Sequence, residues 1–120
     1  MAQVTGIGGV FLRANDPAAL SEWYRIHLGI DMTQGAWIQQ AGPTVFAPFS
    51  RDSDYFDPKT QIMLNFRVRD LDDLIDQLHA AGVEVETRAE WDSDIGRFAR
   101  IHDPENNPIE LWEPAGPAAG

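Results

Sequence analysis

The chain states one pattern twice, and that duplication limits what it can fold into more than any other feature. Asp16 is followed by Leu20, Trp23, Tyr24 and Leu28, and then by Gly29. Asp70 is followed by Leu74, Ile75 and Leu78, and then by Gly82. Each aspartate closes a strand-like run, residues 10–14 in the first case and 63–68 in the second. The two aspartates stand 54 residues apart, the size of one supersecondary module. A module that small cannot bury its own apolar face, so it must pack against its copy or against another chain. The crease between copies is then a natural place for a ligand cavity.

Turn and period signals divide each copy. Residues 7–15 read as a strand ending in Asn15-Asp16-Pro17, and Asp16 is placed to cap a helix over 17–28 that has Pro17 in its first turn. Gly29 stops that helix. Strands are expected at 30–33, 36–41 and 43–48, separated by Gly35 and by Gly42-Pro43. Residues 50–60 are polar and aperiodic, and read as the linker between modules of about 5–49 and 61–114. In the second copy a strand over 62–68 precedes a helix over about 71–81, capped by Asp70 and stopped by Gly82. Strands at 83–87, 98–101 and 107–112 follow, then a frayed Pro/Ala/Gly tail over about 114–120. The order is strand, helix and about three strands, performed twice.

Composition removes several classes of function. A net charge of −10 repels nucleic-acid phosphates. No apolar run approaches the roughly 18 residues of a membrane span, and no basic segment precedes an apolar one at the N-terminus, so a cytoplasmic protein is expected. With no cysteine, disulfides, thiolate metal sites and cysteine nucleophiles are excluded together, and chemistry falls to oxygen and imidazole groups.

The segment from Gly96 to Pro114 runs strand, Asp103-Pro104-Glu105-Asn106-Asn107 turn, then Ile109-Glu110-Leu111. It resembles the C-terminal signature of the vicinal oxygen chelate superfamily, which includes glyoxalase I, extradiol dioxygenases and bleomycin-resistance proteins. The stretch Val10–Pro17 with Trp23-Tyr24 and Leu28-Gly29 resembles the first module of the same family. The resemblance spans about residues 5–114 and implies a single glyoxalase-like domain. Its expected fold is α+β, two βαβββ modules forming a curled mixed sheet around a cavity. It also implies frequent homodimers in which modules of two chains share a cavity.

Catalytic members of that family hold a divalent metal with two strand residues from each module. Counting back from each aspartate places the first-strand positions, usually His, at Gly9 and Met63. Glycine has no side-chain donor, and a thioether suits hard divalent ions poorly. Glu110 stands in the family's last-strand place, but its counterpart near residues 44–47 has no carboxylate, imidazole or thiol, since 32–51 contain no Asp, Glu, His or Cys. Glu110 is thus the one retained ligand position, and no cofactor is expected. Glu110 with His102, which precedes the Asp103-Pro104 turn, could form a rudimentary divalent-metal site or an acid–base couple. The plainer reading of His102 is a strand-end histidine bonding the turn, and His27 and His79 suit helix C-terminal ends.

Strand alternation turns Glu110 and Trp112 away from the helices if Ile109 and Leu111 face them. A carboxylate so enclosed must be paired, protonated or ligand-bound, and an ion pair with Arg97 or Arg100, or a place at a dimer seam, answers equally well. Trp37, Phe46, Met63, Trp91 and Trp112 could line a pocket for a flat or cationic molecule, although aromatics on strands also build cores and interfaces. Two activities follow. One is a glyoxalase/bleomycin-resistance-like protein that binds a small aromatic or cationic molecule without the usual metal. The other is a lyase or isomerase of the lactoylglutathione-lyase type, or a dioxygenase, using Glu110 as base or single metal ligand.

Overall fold

The computed structural model describes residues 2–115. Helix α1 runs Pro17–Leu28, as its capping signals predict. The Asp16 carboxylate accepts from the Ala19 amide at 3.1 Å, and Pro17 fills the position whose N–H would go unused. Gly29, at φ 70°, turns the chain out of the helix while its amide and that of Ile30 donate back to Arg25 O and Tyr24 O.

Helix α2 spans Leu71–Ala80, and here the expected cap is corrected. Asp70 sits in the left-handed region at φ 58° and makes no side-chain cap bond. It lacks the extended backbone from which a capping carboxyl reaches the first-turn amides. Glu113, 42 residues downstream, takes that role instead, accepting from the Leu71 amide at 3.0 Å.

Three strands form one mixed sheet in the order β1-β3-β2: β1 Leu64–Arg67, β2 Gly96–His102 and β3 Pro108–Pro114. The central β3 pairs parallel with β1 and antiparallel with β2. The expected strand at 83–87 is reduced to one bridge, Glu86 to Arg100, along the outer edge of β2. The β2–β3 turn is built on Asp103, whose buried carboxylate accepts from the Glu105 and Asn107 amides and from Asn107 Nδ2 at 2.7–3.0 Å. Asn106 takes the left-handed position of that turn at φ 66°.

Both helices pack on one face of this sheet. Leu20 and Tyr24 of α1, with Leu71 and Leu78 of α2, enclose Ala99, Ile101, Ile109 and Leu111. Each such aliphatic side chain removed from water contributes roughly 1.5–3 kcal/mol. The fold is therefore α+β, with a mixed sheet and two helices. The strands expected at 7–15, 30–33, 36–41 and 43–48 are not formed among the described residues, and the two-module sheet is not seen there. An alternating segment becomes a strand only when a neighbour completes its hydrogen-bond ladder, and within this chain these segments have none. Pro114 ends β3 and the Ala115 amide bonds Ile95 O, so order extends past the expected start of the tail; residues 116–120 lie outside the described part.

Candidate functional site

Sheet register gathers the site. Glu110 is the direct Cα partner of Asn65 on β1 and of Arg100 on β2, so all three belong to the face opposite the helices. As alternation predicts, Ile109 and Leu111 are fully enclosed in the helix-side core while Glu110 and Trp112 lie on the other face. Glu110 is only 8% exposed. A carboxylate this enclosed needs partners, and it has two: Asn65 Nδ2 donates to Oε1 at 2.7 Å, and the Tyr55 hydroxyl donates to Oε2.

Tyr55 comes from the aperiodic segment at 50–60. Its ring lies over the Arg100 guanidinium, 5.1 Å from the centroid, and meets Trp91 edge-on at 6.2 Å. Arg100 is also 8% exposed and stacks on Trp91 at 5.4 Å. Its guanidinium donates one hydrogen bond, to the Tyr55 carbonyl at 3.0 Å, and its Nε is buried without a partner. Burial, then the Glu110 carboxylate, push the Tyr55 phenol up to about 12. The arrangement holds a carboxylate and a guanidinium side by side, one bonded to a phenol and the other stacked on its ring.

The residues singled out in the sequence separate here. Glu110 and Trp91 come together through Tyr55 and Arg100. Trp112 is buried on the same face, stacked on Phe98 at 6.2 Å, with its Nε1 donating to Ile95 O at 2.8 Å. Met63 is half-buried just before β1. Trp37 meets Phe66 edge-on at 6.1 Å, whereas Phe46 is 85% exposed and Gly9 is exposed as well. His102 is exposed and is not among the hydrogen-bond partners of Glu110. Among the described residues, no three His, Asp or Glu side chains converge as a metal cluster.

The expected ion pair of Glu110 with Arg97 or Arg100 is not formed. Arg97 faces the other way, bonding Asp72 at 2.8 Å and standing 3.7 Å from Glu113. Sequence reasoning missed Tyr55 and Asn65. Asn65 was findable, since it stands two residues beyond Met63 and alternation places both on one face. Tyr55 had no periodic signal. A separate groove of about 540 Å³ runs along α1, lined by Asp16, Trp23, His27 and Glu105, but it lies away from this cluster.

The fold and site are those of a small α+β protein with an enclosed carboxylate on the helix-free face of a mixed sheet, and the family match below places it in the vicinal oxygen chelate superfamily. Residues 9–112 match the family model described as a glyoxalase-like domain, and the chain belongs to that family. The uncharacterised protein YraH of Bacillus subtilis (strain 168) is 36% identical over 59 residues, which cover 46% of this chain and 44% of that relative. The fold is similar to the crystal structure of TnmS3, an antibiotic-binding protein from Streptomyces sp. CB03234. That match has a TM-score of 0.64 and 21% identity, covering 96% of this chain and all of the other.

Proposed function

We propose that this protein binds a small aromatic molecule against the Glu110 face of its sheet, without the metal that its catalytic relatives carry. The observation that carries the reading is the enclosed Glu110 carboxylate, held by the side chains of Asn65 and Tyr55 and flanked by Arg100 and Trp91. Such a group orients a polar ligand atom while the aromatic neighbours take a flat ring. Arg100 next to it favours a neutral or anionic aromatic over a cation, despite the acidic balance of the whole chain. The antibiotic-binding neighbour adds support for a binding role.

Titration calorimetry with a panel of aromatic compounds tests this, on wild type and Glu110→Gln. Saturable binding by some members, weakened at least tenfold in the variant, supports the reading. A flat response from both proteins across the panel overturns it. The alternative, a lyase or isomerase using Glu110 as base or single metal ligand, rests on that residue standing in the family's ligand place. Stoichiometric metal in protein purified without chelator, lost in Glu110→Gln, would favour the alternative.

A homodimer with paired modules belongs to the same proposal. Phe11, Ile38 and Phe46 are 85–95% exposed, and residues 31–52 are exposed throughout. Large apolar side chains at this density normally meet another surface. A second copy whose strands complete their ladders would cover them, and sedimentation equilibrium should then give twice the chain mass. No helix among the described residues is long and apolar enough to cross a membrane.

A further inference from the structure

Tyr55 covers both charged groups of this site, and its contacts describe the chemistry that the pair accepts. Its hydroxyl donates to Glu110, its ring covers the Arg100 guanidinium, and its edge meets Trp91. Yet its own segment is lightly fastened. Within residues 50–60 the hydrogen bonds are short-range turns, such as Ser53 N to Ser50 O and Thr60 N to Asp57 O. Among the described residues, the hydrogen bonds joining the segment to the sheet are two, both at Tyr55: its hydroxyl to Glu110 and its carbonyl from Arg100. One residue thus supplies the hydrogen bonds that join the segment to the sheet.

Arg100 adds what Tyr55 does not satisfy. Its Nε is buried and unpartnered, and a buried donor left unbonded is costly. An incoming molecule that supplied an acceptor oxygen there would gain a bond the resident phenol cannot make. We propose that the site binds a hydroxyaryl compound, its phenolic hydroxyl on Glu110 and a carbonyl or carboxylate oxygen on Arg100, and that Tyr55 is the built-in occupant which this ligand displaces. This rests on the aromatic-binding reading above and names the ligand class and the competitor. Occupancy by Tyr55 lowers apparent affinity by the fraction of molecules whose site is free.

The test uses calorimetry of 4-hydroxybenzoate, 2-hydroxybenzoate, 4-methoxybenzoate and naphthalene-2-sulfonate with wild type, Tyr55→Phe and Tyr55→Ala. One or both hydroxybenzoates should bind, the methoxy analogue at least tenfold more weakly, since it offers Glu110 no proton. Tyr55→Ala should tighten hydroxybenzoate binding about tenfold by removing the competitor. Tyr55→Phe, which keeps the ring and loses the hydroxyl, should tighten it less; it serves alone should Tyr55→Ala fail to fold. Unchanged or weaker binding in the folded Tyr55 variants overturns the displacement. Equal binding of methoxy and hydroxy compounds, or binding of the sulfonate alone, overturns the phenol assignment while leaving aromatic binding intact. Silence from all four probes with every protein removes both.

Discussion

The Tyr24 hydroxyl donates to Asp103 Oδ2 at 2.7 Å, tying α1 to the β2–β3 turn across 79 residues of sequence. Both groups are buried, and Asp103 is the same carboxylate that organises the turn. The N-terminal helix is therefore fastened to the turn that feeds the Glu110 strand by a buried side-chain bond, beside the Asn15 and Asp16 amides that donate to Glu105. Burial, then the neighbouring carboxylate, push the Tyr24 phenol far above its ordinary range.

Removing that hydroxyl should loosen α1. Tyr24→Phe leaves the ring in the core and takes one donor from Asp103, which keeps its three turn donors. Urea unfolding should show a loss of roughly 1–2 kcal/mol. An unchanged midpoint would mean that the bond is replaced by water at no cost.

The cap of α2 can be separated from its neighbour by two substitutions. Glu113→Ala should cost about 1 kcal/mol, because it removes the acceptor at the Leu71 amide. Asp70→Gly should be neutral or raise the melting temperature, because Asp70 makes no cap bond and glycine relieves its positive φ. The reverse ranking in thermal melts would return the capping role to Asp70.

Gly96 should tolerate no side chain. Its φ is 141°, and an added Cβ would collide with the Glu113 carbonyl oxygen and lie 2.8 Å from Trp112 Nε1. Gly96→Ala should lose roughly 3 kcal/mol or more, since backbone of the central strand would have to move. The melting temperature of the purified variant reads this directly.

Tyrosine ionisation offers a pH signature. The chain has two tyrosines, and both phenols are raised, Tyr55 to about 12. A folded-state value above the unfolded one favours the neutral form. The stability from Tyr55 is thus fully present below about pH 10 and lost as pH rises through about 12. Phenolate absorbance should stay flat near pH 10 in the native protein and rise first from Tyr55. In Glu110→Gln that first rise should move to lower pH, because the anion holding the phenol neutral is gone; an unmoved rise would detach Tyr55 from Glu110.

Much of the frame was legible in the chain, and for local reasons. Asp16-Pro17 and Gly29 bound α1 because capping and left-handed geometry are properties of a few adjacent residues. The Asp103–Asn107 turn follows from short side chains bonding nearby amides. Alternation set Ile109 and Leu111 on one face of the strand and Glu110 on the other, and the helices cover the apolar pair. The cap of α2 was misplaced, since its acceptor arrives from Glu113, which only β3 brings to that helix.

By itself the sequence determined two helices, a turn and the face of β3 that bears Glu110, because each depends on period or on neighbours in the chain. Tertiary structure alone decided what meets Glu110. Register against β1 and β2 set Asn65 and Arg100 beside it, and an aperiodic segment laid Tyr55 across both. The duplicated strands of the first half show the same limit. Alternation makes a segment able to form a strand, but the ladder needs a partner, and a sequence read alone does not say where that partner comes from.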